Sequence, residues 1–384
     1  MTVTLYGGAR LWKGAWLCVQ PEFATGNGVG GGAGAAAYPN VEIVRVASII
    51  GKPYIARAFL QQVLSFGSPA DGDAAPADGN PEEKFSPGGG RPLGGPAMGL
   101  RLVFTFGKIS LPDVFDTNDF IGDGRHGLGN WALANNGAWD YAADTRGYTW
   151  GFTVAWEGGP MAARVGAYAM PSKPNGPNYD HDLARAHGIN GEIEWVFDPA
   201  HEGVARLTAY QNRARMGSYD EALALANGGV PDLAPTREPG REKWGLGFNS
   251  QRRFSDAWGV SLRLGWNDGK NETFAYTEID RTISLGVSHP ADFWGRPKDR
   301  VYLAAVVSGL SGAHRRYLAA GGSGFQLGDG KLNYSPEVAA ELDYLAIVTR
   351  AVGVSLDVQY LSHPGFNADR GPIAVFGLRL HIHR

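Results

Sequence analysis

Apolar and polar side chains alternate strictly along many stretches of this chain. In residues 258–267 every second side chain is apolar, and the side chains between them are Gly, Ser, Arg, Gly and Asn. Residues 147–156, 189–197, 352–361 and 374–382 show the same kind of alternation. Because successive side chains of a β-strand point to opposite faces, each stretch predicts a strand with one apolar and one polar face.

The same pattern predicts about sixteen strands, an even number that is typical of bacterial single-chain barrels. A barrel of that size has room for an aqueous channel. The predicted strands are 2–6, 15–23, 40–48, 54–66, 99–109, 147–156, 161–170, 188–197, 203–213, 241–254, 258–267, 272–288, 299–309, 336–348, 352–362 and 373–383.

The polar faces and the aromatic positions favour a membrane barrel over a soluble β-sandwich. Many polar faces mix charged side chains with glycine, which suits the wall of a water-filled lumen. Trp258 and Trp266 point the same way and lie roughly 26 Å apart along a strand. At a tilt of about 40° this spans about 20 Å of height, close to an apolar band of ~25 Å between two aromatic girdles.

This assignment predicts an environment for each face. We expect contact with lipid for Val260, Leu262, Leu264, Val354, Leu356 and Phe152. We expect contact with water for Arg263, Asp357 and Thr149.

Short and long connections are the second regular feature. Residues 157–160 and 255–257 are tight turns, and residues 219–227 predict a short helix within a loop. The long segments are near 67–98, 110–146, 171–187, 214–240 and 310–335. We therefore expect one barrel domain over residues 1–384, with short turns on one side, long loops on the other, and segment 110–146 folded inward as a constriction.

Composition and charge exclude several other classes. The 384 residues include 56 Gly and 11 Trp, and the mean hydropathy of −0.21 is low for a packed aliphatic core. A net charge of −3 without long runs of one sign gives no indication of nucleic-acid binding. The single cysteine, Cys18, rules out a disulfide framework and a Cys-rich zinc site.

No apolar stretch reaches the ~18–20 residues of a transmembrane helix, so we expect any membrane crossing to be made by strands. The first residues, MTVTLYGGARLW, lack a basic region followed by an apolar one, so the sequence predicts no signal peptide.

Several short motifs do not carry the chemistry that they resemble. GNGVGG at 26–31 is followed by no helix, so it does not predict a phosphate site. In DTNDFIGDG at 116–124, Phe120 occupies a ligand position of an EF-hand loop, although calcium binding there stays an alternative. His381 and His383 share a strand face, which is more typical of polar wall residues than of a metal site.

Two carboxylate pairs could indicate a glycosidase. Glu192 and Glu194, and likewise Glu337 and Glu341, are expected instead to point to one inner wall of the barrel. We therefore predict no enzyme activity, no catalytic residues, no metal and no cofactor.

Long segments across most of the chain resemble the carbohydrate-selective porin (OprB-type) family. They are GKISLPDVFD (107–116), NNGAWDYAADTRGY (135–148), FWGRPKDRV (293–301), YLAAGGSGFQLGDGKLNYSPE (317–337) and HPGFNADRGPIAVFGLRLH (363–381). The resemblance implies an all-β transmembrane antiparallel barrel of about sixteen strands in the bacterial outer membrane. It further implies a homotrimer and passive uptake of glucose and related sugars. The chain departs from the family at Arg384, where an aromatic residue is usual.

Selectivity in such a channel comes from pore radius, hydrogen-bonding groups and charge. A sugar offers hydroxyl groups and an apolar ring face, so planar donors, acceptors and aromatic rings are the expected lining. The candidates are Glu42, Arg45, Arg57, Arg101, Asp116, Trp131, Asn135, Trp139, Asp140, Arg146, Arg263, Asp357 and Arg379. Because many of them are basic, a channel for anions or acidic polysaccharides is an alternative, and a soluble carbohydrate-binding β-protein is another.

The most specific expectation concerns Trp131 and Trp139 in the constriction. A helical turn or two between them would direct both rings to one side, with Asn135 and Asp140 nearby. We expect Trp139 to stack on the apolar face of a permeating sugar, with each contact of this kind contributing about 1–2 kcal/mol.

Overall fold

The computed structural model describes residues 1–42, 51–66, 97–121, 124–255 and 257–382. It contains sixteen β-strands in one antiparallel sheet. The strands are β1 (Thr2–Thr4), β2 (Gly7–Trp12), β3 (Ala15–Ala24), β4 (Pro53–Phe66), β5 (Ala97–Ile109), β6 (Thr149–Gly159), β7 (Met161–Ala169), β8 (His187–Asp198), β9 (Gly203–Met216), β10 (Glu238–Arg253), β11 (Gly259–Asn267), β12 (Arg281–Ala291), β13 (Arg296–Gly309), β14 (Glu337–Ile347), β15 (Val352–Ser362) and β16 (Ile373–Ile382). The α-helices are α1 (Trp131–Ala134), α2 (Tyr219–Ala226) and α3 (Gly312–Ala319).

From β3 to β16 each strand pairs with the next one along the chain. β1 and β2 both pair with β3, at opposite ends of that strand, so together they follow its free edge. The inner faces of β3, β8, β11, β14 and β16 all bond to one segment, 110–146. A flat sheet could not reach one segment from so many strands, so the sheet curves around it as a barrel wall.

Two predicted strands differ from the structure. Residues 40–42 of the predicted strand 40–48 are not in a strand, because the Val41 N–H donates to Gly129 of segment 110–146 rather than to a sheet neighbour. Residues 43–48 lie outside the described residues. The predicted strand 272–288 begins only at Arg281, because three N–H groups from Phe274 to Tyr276 donate to Asp140. β2 was not predicted.

The alternation of faces is confirmed for the apolar positions. Outer positions include Phe152, Leu264 and Leu356, all exposed, with Val260 and Val354 half-exposed beside them. The expectation of water at the inner positions is wrong. Arg263 is 3% exposed, Asp357 7% and Thr149 0%. These side chains point inward as predicted, but the interior at their level is filled by protein rather than by water.

Connections at one rim are short, as between β6 and β7, β8 and β9, and β14 and β15. Most connections at the other rim are long. The segment between β4 and β5 is long, but it does not lie at the long-loop rim as predicted. Near the end of β4, Gln62 pairs with Ala15, and at the start of β5, Ala97 pairs with Gly159; both partners lie beside short turns. The predicted long loop 67–98 therefore starts and ends at the short-turn rim. Residues 67–96 lie outside the described residues.

Three connections pack together at the long-loop rim. The His314 ring on α3 is fully buried, and its Nδ1 lies 3.1 Å from a carboxylate oxygen of Asp280. The Tyr219 ring of α2 stacks on His314 at 4.3 Å. Burial alone would raise the pKa of Asp280, but His314, Lys243 and the Ser311 N–H outweigh burial and lower that pKa to about 2.

For the faces, we expect Leu356→Cys, in a Cys18→Ser background, to react with a lipid-soluble maleimide in proteoliposomes. Ser355→Cys, on the inner face and fully buried, should not react with it. Equal labelling of both variants would contradict the assignment of faces.

For the loops, we expect acid to weaken the packing of α3. The pKa of Asp280 is lower in the folded state than its ordinary value of 3.8. The resulting stabilisation, about 2 kcal/mol, is therefore present above that value and is lost as pH falls through about 2. Hydrogen exchange of amides 312–319, corrected for intrinsic rate, should accelerate between pH 4 and pH 2. His314→Ala should show little change over that range, and equal behaviour of both proteins would contradict the expectation.

Candidate functional site

Segment 110–146 crosses the interior and is held to the wall by a buried ion pair. Arg263 on β11 places its Nε 3.0 Å from a carboxylate oxygen of Asp116, and its Nη2 donates to the Asp116 carbonyl at 2.9 Å. Asn249 donates to both the carbonyl and the carboxylate of Asp116, and the Asp116 N–H donates to Glu192. Every polar group of this residue is therefore bonded to the wall or to the segment itself.

A second anchor lies across the lumen on β14. The Glu341 carboxylate accepts the N–H groups of Gly129 and Asn130 at 2.6 and 2.9 Å. The Asn130 side chain accepts the N–H of Ala132, so the same residue caps the single turn of α1. Asn130 also donates to Gln359 on β15, whose amide in turn donates to Asp357.

Asp140 forms the third anchor. Its carboxylate accepts the N–H groups of Phe274, Ala275 and Tyr276 and lies 3.5 Å from the Lys243 ammonium. Asp140 and Lys243 are both buried, so this contact fixes the connection before β12 rather than presenting a charge to solvent.

The two tryptophans belong to one aromatic cluster. Trp131 stacks on Tyr276 at 5.1 Å, Tyr276 contacts Tyr141 at 4.7 Å, and Tyr141 contacts Trp139 at 5.0 Å. Trp139 is only 3% exposed and donates its Nε1–H to Asn190 at 2.8 Å. Both rings do point into one region, as expected, but that region is packed protein. Stacking of a sugar on Trp139 is not supported by this position.

Three further residues of the predicted lining are Asn135, Arg379 and Arg45. Asn135 is half-buried and donates weakly to the Tyr276 hydroxyl at 3.4 Å. Arg379 on β16 donates to the carbonyl of Gly124 at 3.0 Å and pairs with Asp343 on the wall. Arg45 lies outside the described residues.

Some inner charges keep exposed surface. Arg57 on β4 donates two hydrogen bonds of 2.6 Å to Asp113, and these side chains are 17% and 15% exposed. Arg101 lies 3.3 Å from Glu157 and is 16% exposed. These groups lie on the inner faces of β4, β5 and β6 and on the start of segment 110–146.

Arg125, which the sequence did not single out, belongs to this set. Its guanidinium binds Glu22 at 2.8 Å and lies 3.3 Å from Glu42. Burial alone would lower the pKa of Arg125, but Glu42, Tyr148 and Glu22 raise it well above its usual value, so the side chain stays charged. A lone arginine between Gly124 and His126 carries no local pattern that could have identified it.

Arg146, the remaining residue of the predicted lining, faces an aromatic ring. Its guanidinium lies 3.7 Å above the Tyr54 ring, and the Tyr54 hydroxyl donates to Glu22. The Arg57 guanidinium lies 5.3 Å from the Tyr148 ring centre. Guanidinium groups, carboxylates and tyrosine rings therefore meet at the long-loop end of β3, β4 and β6, where they can offer both hydrogen bonds and ring faces.

In the described part of the chain, no group of three or more His, Cys, Asp or Glu side chains is arranged to hold a metal ion. The calcium alternative at 116–124 includes residues 122 and 123, which lie outside the described residues. Over the same described ranges, no helix is long and apolar enough to cross a membrane.

A family model described as "Carbohydrate-selective porin, OprB family" matches residues 9–383. The chain belongs to this family. It is an outer-membrane channel through which carbohydrates diffuse passively, and its family and fold are those of a channel rather than of an enzyme.

Two solved structures show the same fold as this OprB-family porin. The high-pH structure of Pseudomonas putida OprB is 16% identical, with a TM-score of 0.71, covering 99% of this chain and 87% of that one. The outer membrane channel DcaP of Acinetobacter baumannii is 10% identical, with a TM-score of 0.50, covering 99% and 82%. No curated protein matches the sequence.

A substitution of Arg263 tests whether its ion pair with Asp116 holds segment 110–146 in place as the constriction of the porin. Arg263→Ala removes the cation from a buried carboxylate, which should destabilise the anchored segment by about 3–5 kcal/mol. In planar bilayers we expect a larger and noisier single-channel conductance, because the segment no longer holds its position. Arg281→Ala, on the next strand but bonded outside this anchor, is the control. A quiet channel of unchanged conductance in Arg263→Ala would contradict this role.

Proposed function

We propose that sugars such as glucose permeate along the exposed arginine–carboxylate wall of β4 and β5, facing Asp113 and Arg125 of the infolded segment. The observation that carries this proposal is that Arg57, Arg101 and Arg125, with the carboxylates Asp113 and Glu42, retain exposed surface, whereas Arg263, Asp116 and Asp357 do not. Of the predicted lining residues, we assign Glu42, Arg57, Arg101, Arg146 and Arg379 to the permeation path.

The pairing of charges supports a path for neutral solutes. Three of these guanidinium groups have a carboxylate within 3.3 Å: Arg57 has Asp113, Arg101 has Glu157, and Arg125 has Glu22 and Glu42. Close opposite charges cancel at a distance, so an ion gains little by entering. A sugar hydroxyl can still accept from an exposed guanidinium and donate to Asp113 or Glu42, the two carboxylates of these pairs that keep exposed surface. The anion channel, which rests on a surplus of basic residues, is the weaker candidate.

Two further assignments remain proposals. We take residues 1–384 as a single barrel domain, because one sheet and one infolded segment account for the described strands. We take the assembly to be a homotrimer, as the family resemblance implies. Light scattering of the detergent-solubilised protein would test this, and a monomeric mass would contradict it.

Arg57→Ala tests the permeation path. The change removes two hydrogen bonds to Asp113 and leaves an unpaired carboxylate facing the lumen. We expect about a five- to tenfold weaker block of ion current by glucose, on the scale of the net contribution of one hydrogen bond. The zero-current potential in a KCl gradient should shift toward cation selectivity.

Two controls separate sugar contact from charge. Arg213→Ala removes an arginine from the outer side of the wall and should leave sugar block unchanged. The double change Arg57→Ala with Asp113→Ala should restore the zero-current potential but not the sugar block. If wild-type channels show strong anion selectivity and no block by any sugar, the anion channel is the better assignment and this proposal is wrong.

A further inference from the structure

A cavity of about 580 Å³ opens on the outer surface of the barrel at the short-turn rim. Trp258, His289, Asp292 and Phe293 line it. Trp258 precedes β11, His289 lies near the end of β12, and the other two begin the turn that follows β12. Its position on the outer surface separates it from the lumen and from every group assigned to permeation.

Aromatic rings form most of the cavity. Trp258 and His289 lie 4.4 Å apart with their ring planes at 62°, and His289 and Phe293 lie 5.2 Å apart at 60°. His289 is buried, whereas Trp258 and Phe293 are 48% and 63% exposed. Two exposed rings therefore flank the buried histidine, each with its plane inclined by about 60° to the imidazole.

One carboxylate completes the lining. The Asp292 side chain is 53% exposed, and its nearer oxygen lies 3.7 Å from His289 Nδ1. Ring faces carry partial negative charge and attract cations, and the carboxylate adds a full negative charge. Rings and a carboxylate around a small cavity are the chemistry that recognises an ammonium group.

The surroundings indicate where an ammonium group would come from. The ring row continues from Phe293 to Trp294 at 4.1 Å and from Trp294 to Tyr344 at 5.4 Å, along the rim of β12 to β14. Exposed aromatic rings at a barrel rim lie at the level of the lipid headgroups. The short-turn rim of such barrels is periplasmic, so the neighbouring leaflet is phospholipid.

We propose that this cavity binds the ammonium headgroup of phosphatidylethanolamine, with Trp258 and Phe293 covering the ammonium and Asp292 neutralising it. An aromatic girdle alone favours the interface without choosing between headgroups. The cavity and its carboxylate distinguish between headgroups, because they favour an ammonium headgroup over an anionic one such as that of phosphatidylglycerol.

Native mass spectrometry of the whole porin tests this, after purification from vesicles of equal phosphatidylethanolamine and phosphatidylglycerol content. Wild type should retain phosphatidylethanolamine over phosphatidylglycerol by about five- to tenfold. Asp292→Asn and the double change Trp258→Leu with Phe293→Leu should each bring this ratio close to one. A ratio near one in wild type, or an unchanged ratio in both variants, would overturn the proposal.

Two control variants separate the effect of the cavity from the general loss of an exposed carboxylate or tryptophan. Asp182→Asn removes a carboxylate of equal side-chain exposure, 53%, from a long loop, and Trp195→Leu removes an exposed outer tryptophan of β8. Both should retain the wild-type ratio, and heat-modifiable gel mobility should show every variant folded. Binding of free ethanolamine that depends on Asp292, without retention of the lipid, would overturn the assignment to a headgroup.

Discussion

Arg263 on the wall and Asp116 on the infolded segment form an ion pair from which water is excluded. Removing two charges from water is costly, and the cost is offset here by complete hydrogen bonding of the carboxylate and of the backbone around it. Asp116 also has a positive φ of 54°, a conformation that Asp tolerates better than most residues. The position of the segment, and with it the size of the opening, depends on this contact.

Carboxylates on the barrel wall also hold the backbone of the segments that enter the lumen. A segment inside a barrel has no neighbouring strand, so its N–H groups need other acceptors. Glu341 accepts two of them from segment 110–146. Glu337 accepts those of Ala36, Ala37 and Gly365, and thereby ties two further connections to β14. Polar inner faces, which look from the sequence like a wet wall, are therefore largely structural.

The alternation of apolar and polar residues predicted those features of the fold that depend on neighbouring residues of one strand. Alternation identified fifteen of the sixteen observed strands, in whole or in part, and their outward faces, because a strand against lipid must be apolar at every second position. It failed at 272–280, where Asp140 from a distant segment takes the N–H groups that a strand would use. It also missed which inner residues are wet. Asp357 and Arg57 both point inward, but Asp357 is buried beside Gln359, whereas Arg57 keeps exposed surface even though it bonds to Asp113. This difference is set by tertiary packing, which alternation along one strand does not encode.

This distinction bears directly on selectivity. If all inner arginines lined open water, the lumen would be strongly basic and anions would enter preferentially. Arg263 and Arg206 are instead buried against carboxylates, so they contribute little to the field that a solute meets. Arg57, Arg101 and Arg125, which stay exposed, are themselves paired with Asp113, Glu157, Glu22 and Glu42. An ion gains little from such pairs, whereas a hydroxyl group can bond to the exposed guanidinium groups and to Asp113 and Glu42, so the arrangement favours a polar, uncharged solute.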